Sequence, residues 1–373
     1  TNPALRAGVR DIWLERDYTA YTRAVGRENL TPANWVPSGR MRVYVRRDIA
    51  AQIWEYGLGG QVDLEPDPYQ AGLVVLAPDR LAGAPGNGEG LLDAPRGIAV
   101  APDGSLFVAD SRNHRIQHFS ADGQFLNAWG SFSQAGIEAP PTGTFNEPWG
   151  VAVSPDGEIV YVADTWNHRV QAFAPDGTFL FTWGHPGFGQ TTDPEGFWGP
   201  RGIAVDGQGR VYLADTGNKR ILVFDARGEY LTEFGTAGMN PGQLDEPVGL
   251  AVDAQGLVYV ADTWNRRIQV FTPVGEGMYF TPFSLWDISG WYGDSLDNKP
   301  FLAADNRGNL FVTDPEMGRV LQFTVEGTFV RGWGESGLGL ESIGIAAAVA
   351  ADAQGRIWVS DAGGQRILRF TLP

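Results

Sequence analysis

Short apolar runs separated by turn residues recur along most of the chain. The first runs cover residues 97–100, 105–110, 115–119 and 125–129, and the residues between them are rich in Pro, Asp, Gly, Ser and Asn. Apolar runs of this length, bounded by residue types that tolerate tight turns, are typical of β-strands. The pattern therefore predicts four strands in this stretch.

The same arrangement returns six times. Each copy opens with Pro-x-Gly-(Ile/Val/Leu)-Ala-Val or a degenerate form of it, and the copies begin at Pro95, Pro148, Pro200, Pro247, Lys299 and Ala346. Successive starts lie 53, 52, 47, 52 and 47 residues apart. Four strands at this period are typical of a propeller blade. We predict an all-β fold, a six-bladed β-propeller, over residues 72–373.

The last copy indicates how the ring closes. Up to Pro373 it supplies only three strands, at residues 349–351, 356–361 and 366–370. Gly83 lies as far before Pro95 as Gly235 lies before Pro247, and Gly235 ends the outer strand of blade 3. We therefore expect a strand within residues 73–81 to pair with residues 366–370. Closure of this kind removes a free sheet edge.

Residues 1–71 have a different pattern. Helical spacing over residues 5–25, alternation over 41–46 and an N-capped apolar run over 49–56 predict a small α/β segment. Residues 59–70, rich in Gly, Pro and acidic residues, indicate a linker. Because the sequence begins at Thr1 without Met, we expect a piece of a longer protein, tethered through an upstream part.

Charge narrows the range of partners. The net charge is −16, and residues 1–71 are neutral with nine Arg and nine Asp or Glu. Residues 72–373 therefore carry the whole surplus, with 19 basic and 35 acidic residues. Such a surface repels phosphate backbones, which argues against nucleic acid. Cysteine is absent, which excludes disulfides, and no apolar run is long enough to span a membrane.

The strongest motif is the run Asp-(Ser/Thr)-x-Asn-x-Arg, which stands at residues 110–115, 164–169, 215–220 and 262–267. The fifth and sixth copies keep the Asp and the Arg but have Met317 and Gly364 in place of the Asn. These units resemble NHL repeats, which implies a six-bladed propeller. NHL propellers serve as RNA binders, protein-docking platforms and extracellular sensors and, in the amidating lyase, as enzymes, so the resemblance leaves the function open.

A second resemblance covers residues 35–57. The stretch Arg40–Asp48, followed by Ile49–Trp54, is similar to the soluble tail of bacterial membrane glycosyltransferases of the mannosyltransferase-like class, some of which carry NHL propellers. This resemblance implies an extracytoplasmic or cell-surface location.

An Asp and an Arg stand five residues apart in every copy. Either they form a ring of charged ligands, or each pair locks one hairpin through an ion pair. Six-fold repetition favours the structural role, since binding sites usually break the symmetry. The pairs are Asp110 with Arg115, Asp164 with Arg169, Asp215 with Arg220, Asp262 with Arg267, Asp314 with Arg319 and Asp361 with Arg366.

Positions that break the symmetry are the candidate binding residues. They follow the opening proline of a blade, lie in the Asp-Thr-Trp-Asn turns or precede blade 3, and they are Arg96, Trp149, Arg201, Trp166, Trp264 and Trp198. Arginines beside tryptophans suit an anionic or polyhydroxylated ligand. The alternatives are that each arginine pairs with a neighbouring carboxylate and that the aromatic rings, Phe197 among them, pack against loops.

Catalytic chemistry has little support in the sequence. The four histidines lack the spacing of a metal site, and no nucleophile with its base is evident, so we expect no catalytic residues and no cofactor. The sequence leaves open whether carbonyl oxygens bind a calcium ion at the mouth of the central tunnel. We expect a non-catalytic extracytoplasmic module that binds a glycan or a protein. The alternative is a lactonase-like or lyase-like enzyme that acts at the central opening.

Overall fold

The structure, a computed structural model, describes residues 67–373 except 135, 137–138, 190–191, 276–278, 290, 292–298, 338 and 340. The helices and the strand predicted before residue 67, and the segment that resembles glycosyltransferases, lie outside the described residues. The compact unit begins at Asp67. Within the described residues no helix is long and apolar enough to cross a membrane.

Residues 95–371 form the six predicted blades, each built on a four-stranded antiparallel sheet. In blades 1 to 3 the strands, from the innermost outwards, are Pro95–Val100, Leu106–Asp110, Arg115–Phe119 and Phe125–Trp129; Pro148–Val153, Val160–Asp164, Arg169–Phe173 and Phe179–Trp183; and Ile203–Val205, Val211–Asp215, Arg220–Phe224 and Tyr230–Phe234. In blades 4 to 6 they are Pro247–Val252, Val258–Asp262, Arg267–Val274 and Tyr279–Asp287; Leu302–Ala304, Asn309–Asp314, Arg319–Thr324 and Phe329–Trp333; and Ala346–Ala351, Arg356–Asp361 and Arg366–Thr371.

Shorter elements lie in the connections. The 3-10 turns are Gln70–Gly72, Ser111–Asn113, Thr165–Asn167 and Thr216–Asn218. Two small parallel pairs lie in the loops before blades 3 and 4, namely His185–Pro186 with Gly196–Phe197 and Thr236–Ala237 with Gln243–Leu244.

Burial follows the position of a strand within its blade. The second and third strands are almost wholly buried, whereas the outermost strands alternate between exposed and covered residues, as in Phe179–Trp183. This alternation is the period-two pattern of a sheet with one solvent face. Blades join through aromatic contacts: the ring of Trp129 lies 5.6 Å from that of Phe173 in the next blade, and Trp183 lies 5.5 Å from Phe224.

The Pro-x-Gly motif allows the innermost strands to approach one another closely. A Cβ atom at Gly150 would overlap the carbonyl oxygen of Arg201, and one at Gly202 would overlap that of Val248. Only glycine leaves room for this contact between neighbouring blades. The repeated glycine is therefore a packing requirement of the ring.

The upstream segment closes the ring, as predicted. Arg80–Ala82 pairs antiparallel with the third strand of blade 6, with Leu81 opposite Leu368 and Ala82 opposite Ile367. Arg80 and Leu81 lie at the end of the expected range 73–81, and the strand extends one residue beyond it. Leu73–Val74 lie in the range predicted to pair with blade 6 but instead add a fifth, parallel strand to blade 5.

Residues 67–69 also contact blade 5. The carboxylate of Asp67 accepts a hydrogen bond from Arg319, and the Tyr69 ring lies 4.8 Å from Phe329. Together, residues 67–82 form a strap that joins blades 5 and 6.

Ala82 should be critical for closure, because its side chain is buried against blade 1 in the position that tryptophan occupies in other blades. Replacing it by Asp places an uncompensated charge there, which should cost about 3–5 kcal/mol. Leu81→Asp, on the exposed side of the same strand, is the matched control. Urea denaturation measures both variants, and equal midpoints would contradict closure by this strand.

Candidate functional site

The candidate binding residues come from one side of the propeller, which we call the entry face. It consists of the turns between second and third strands, at residues 111–114, 165–168, 216–219, 263–266, 315–318 and 362–365, and of the described residues of the loops that enter the innermost strands, within 83–94, 130–147, 184–199, 235–246 and 334–345. The first residues of the innermost strands, which include Arg96, Trp149 and Arg201, form its centre. Antiparallel order places both kinds of connection at the same end of a blade.

The predicted Asp–Arg ion pair forms in every blade and is buried. The distances from Nε of Arg to Oδ2 of Asp are 2.8 Å for Arg115–Asp110, 2.9 Å for Arg169–Asp164, 3.0 Å for Arg220–Asp215, 2.7 Å for Arg267–Asp262, 2.8 Å for Arg319–Asp314 and 3.0 Å for Arg366–Asp361. In blade 2, burial raises the pKa of Asp164 to about 6, because lost hydration outweighs the effects of Arg169 and of the hydrogen bonds that the carboxylate accepts.

In blades 1 to 4 and in blade 6 the pair also holds the loop that enters the blade. Arg169 donates to the carbonyl oxygens of Pro140, Pro141 and Thr144, while Asp164 accepts the backbone N–H of Asn146 at 2.7 Å. The remaining nitrogens of the guanidinium thus satisfy loop carbonyls that the ring would otherwise bury unpaired. The Asp–Arg pair therefore fixes both the turn and the loop of the entry face.

The asparagine of the repeat also forms a hydrogen bond to a backbone carbonyl of the same loop. Asn167 donates to the carbonyl oxygen of Ser133, Asn218 to that of Gly187 and Asn265 to that of Gly238, each at 2.9 Å. These contacts bring the loops beside the turns that carry Trp166 and Trp264. Blades 5 and 6 lack the asparagine.

Three of the predicted binding residues form a buried cluster at the centre of this face. The guanidinium carbons of Arg96 and Arg201 lie 3.8 Å and 4.4 Å from the centre of the Trp149 ring, in the range of a cation–π contact. Trp149 is 1% exposed. Arginines from the two neighbouring blades cover its ring, so the ring is not presented to a ligand. The prediction of Trp149 as a residue that contacts a ligand therefore does not fit the structure.

Carboxylates complete the central cluster. Arg201 pairs with Glu246, and Nζ of Lys299 lies 3.9 Å from Oε1 of Glu246. The alternative in which an arginine pairs with a neighbouring carboxylate is thus realised for Arg201. Nε1 of Trp149 and Nε of Arg201 are buried and have no hydrogen-bond partner among the described residues.

The other three predicted residues are partly exposed, at 40% for Trp166, 39% for Trp198 and 46% for Trp264. Each is held by a different contact. Trp166 donates from Nε1 to Glu147 at 3.2 Å, and Trp198 stacks on His168 with ring centres 4.6 Å apart.

Trp264 lies beside the two lysines of the chain. Nζ of Lys299 is 5.4 Å and Nζ of Lys219 is 6.0 Å from its ring centre, and Lys219 also pairs with Asp245 at 2.7 Å. The charged groups of these two lysines and of Asp245 therefore surround the ring of Trp264 and favour one orientation of it.

The backbone around Trp198 is fixed as well. Its N–H donates to Asp215 at 2.7 Å, and the following N–H, of Gly199, donates to Nδ1 of His168 at 3.0 Å. Nδ1 must be unprotonated to accept this bond, and burial lowers the pKa of His168. Phe197, which the sequence grouped with Trp198, is fully buried between blades.

Four exposed apolar side chains on this face were not predicted from the sequence. They lie on the loops and on the turn of blade 5 and are Phe132, Phe188, Met239 and Met317. The sequence did not single out these residues because the loops differ in length and sequence from one blade to the next. Met317 gives blade 5 an exposed apolar residue as well, although this blade lacks the asparagine of the repeat.

The histidines have structural contacts. His114 accepts the N–H of Glu147 at 3.1 Å, His118 stacks on Phe107, and His185 lies 3.0 Å from Asp193. No group of three or more His, Asp or Glu side chains able to hold a metal ion lies among the described residues.

Comparison with known proteins confirms the repeat and the fold. The family model described as NHL repeat matches residues 92–119, 145–173, 197–224 and 244–271. The chain is 30% identical to the protein brain tumor of Drosophila melanogaster over 39% of its own length and 28% identical to peptidyl-glycine alpha-amidating monooxygenase B of Xenopus laevis over 43%. These matches span 13% and 18% of the two relatives.

Solved structures share the fold at low sequence identity. An auxiliary nutrient binding protein from Bacteroides thetaiotaomicron matches with a TM-score of 0.55 and 11% identity, covering 75% of this chain and 69% of that one. A gluconolactonase from Xanthomonas campestris matches with a TM-score of 0.53 and 14% identity, covering 83% and 99%. The chain carries NHL repeats in a six-bladed β-propeller, a fold found in both binding proteins and enzymes.

Replacing Asp215 by Ala should destabilise the protein by about 3 kcal/mol, because Arg220 loses its buried partner. The exposed pair between Arg80 and Asp122 offers the control Asp122→Ala, which should leave the denaturation midpoint unchanged. Since Asp215 also holds the backbone of Trp198, its role extends beyond the stability that the sequence suggested. A midpoint for Asp215→Ala equal to that of wild type would overturn the structural role.

Acid should loosen the loop that carries Trp198. The folded state lowers the pKa of His168 below its ordinary value of 6.5, so this contribution to stability is present above pH 6.5 and is lost as the pH falls. His168→Phe keeps an aromatic ring against Trp198 but removes the titration. Between pH 7 and pH 5 the urea midpoint of wild type should therefore fall more than that of the variant. Equal decreases would contradict this role of His168.

Proposed function

We propose that this propeller is a non-catalytic binding module that holds a glycan or a protein ligand on the entry face of blades 1 to 4. The observation that carries the proposal is the set of partly exposed Trp166, Trp198 and Trp264, each held in place by a specific contact around a cationic centre. Tryptophan and arginine dominate the energetics of binding surfaces.

Fixed side chains favour binding because they lose little freedom when a ligand arrives. Ordering a mobile side chain at an interface costs about 0.5–1.5 kcal/mol. Stacking on His168 and the hydrogen bond to Glu147 order Trp198 and Trp166 before any ligand is present. The three rings therefore form a preorganised surface.

Charge supports a ligand with acceptor groups. Arg96, Arg201 and Lys299 gather at the centre of the face and outnumber Glu246, the carboxylate that pairs with Arg201 and Lys299, while the propeller as a whole carries an acidic surplus. A local positive field on an acidic protein attracts carboxylates, hydroxyl oxygens or phosphates to one place. The overall surplus disfavours long nucleic acids, which need a broad basic surface.

An enzyme of the lactonase or lyase kind would need access to the central opening. Trp149, Val248, Phe301 and Ala348, from four different blades, are buried in one apolar cluster. The relative named amidating monooxygenase and the gluconolactonase share sequence or fold with the chain, but this apolar cluster favours binding by the exposed residues around it.

The cellular setting is part of the proposal. The resemblance of residues 35–57 to the tails of membrane glycosyltransferases supports an extracytoplasmic module tethered through an upstream part. Sequencing the complete reading frame tests this point, and an upstream region without transmembrane helices would refute it.

The triple variant Trp166→Ala/Trp198→Ala/Trp264→Ala should lose ligand binding by at least about 30-fold, the effect of one hot-spot residue. The control Leu126→Ala/Leu180→Ala/Val330→Ala removes side chains of similar exposure from the outer strands. Wild type and both variants are compared on a glycan array and on a displayed peptide library. Binding that survives in the tryptophan variant, or that is absent in wild type, would refute the proposal.

A further inference from the structure

We infer that the ligand of the entry face is a protein segment in which carboxylates alternate with large apolar side chains. This inference rests on the proposed function and chooses between its two ligand classes. It depends on the exposed apolar side chains of the loops and on the cations that lie among them.

The exposed side chains of the loops have the chemistry of a protein interface. Phe188 and Met239 are 73% and 76% exposed and Phe132 is 59% exposed, and none of the three can form a strong hydrogen bond. Burying one such side chain contributes about 1.5–3 kcal/mol, whereas a glycan needs hydrogen-bonding partners for its hydroxyls. Methionine, tryptophan, phenylalanine and arginine are the residues enriched in protein interfaces.

Together with the three tryptophans, these side chains form a belt across the turns and loops of blades 1 to 4. The Phe188 ring lies 4.9 Å from Trp198. The bond from Asn265 to Gly238 places Met239 beside the turn of Trp264, and the bond from Asn167 places the loop of Phe132 beside the turn of Trp166. The belt runs from blade 1 to blade 4, and a peptide that follows it can bury several apolar side chains at once.

Cations lie within the belt. The turns add the exposed side chains of Arg112 and Arg266, and the partly exposed Lys219 is paired with Asp245. The nearby Glu147 and Glu246 are bonded to Trp166 and to Arg201. In the same turns blade 5 has Gly318 where blades 3 and 4 have Lys219 and Arg266. A carboxylate on the ligand would be attracted to the belt and repelled by the rest of the acidic chain, which fixes its register.

The test is selection of random 12-residue peptides on the whole protein. Enriched peptides should combine Asp or Glu with Leu, Ile, Phe or Met. A synthetic copy should bind Met239→Ala and Trp198→Ala at least about tenfold more weakly than wild type, the effect of about 1.4 kcal/mol. Phe283→Ala, which removes an equally exposed ring from the outer strand of blade 4, is the control and should bind as wild type does.

Charge reversal tests the electrostatic part. Arg112→Glu/Arg266→Glu should bind the same peptide at least about tenfold more weakly, and added salt should weaken binding to wild type. Circular dichroism and denaturation midpoints verify that each variant is folded. Enrichment of basic or uncharged peptides, or binding unaffected by charge reversal, would overturn the inference.

The glycan array distinguishes a failure of the proposed binding function from a failure of the choice of a protein segment as the ligand. If glycans bind and the tryptophan variant loses them while no peptide is enriched, the entry face is a binding site and the choice of a protein segment is wrong. If neither class binds, both the proposed function and this inference fail.

Discussion

The buried carboxylate of the repeat is the constraint on which the entry face depends. In blade 2 it accepts hydrogen bonds from Arg169, Asn167, Gln171 and the backbone of Asn146, so it joins the second strand, the third strand, the turn and the loop. Removing a carboxylate from water is expensive unless its oxygens are fully bonded. These donors replace the hydration that the carboxylate loses, so the Asp and the Arg recur in all six blades and the Asn in blades 1 to 4. In blade 2 the loop cannot move without exposing the carboxylate.

A framework fixed in this way leaves other positions free to differ between blades. The third residue of the motif does not bond to the carboxylate, and it is Arg112 in blade 1, Trp166 in blade 2, Gly217 in blade 3 and Trp264 in blade 4. In blade 3 the glycine is needed because the ring of Trp198, from the adjoining loop, fills the space of a side chain. The side chains of the entry face thus differ between blades at the motif positions that do not bond to the buried carboxylate.

The sequence predicted what depends on repetition. The six blades, the six ion pairs and the closing strand follow from a motif that recurs at nearly constant spacing. The burial of Trp149 did not follow, because its cover comes from Arg96 and Arg201 in neighbouring blades and exposure is decided by all three together. The parallel pairing of Leu73–Val74 with blade 5 could not be predicted either, because two residues are too few to show a strand periodicity.

Ring closure and the proposed ligand site occupy different parts of the ring. In blade 5, Asp67 of the strap supplies Arg319 with the acceptor that loop carbonyls supply to Arg169 in blade 2. The strap then continues along blade 6, where Arg80–Ala82 replaces the outer strand. Blades 5 and 6 are also the ones that lack the asparagine which pins a loop beside a turn. The strap stabilises these two blades from their outer edges. Among the described residues, the loops held by the asparagine and their exposed aromatic rings lie in blades 1 to 4.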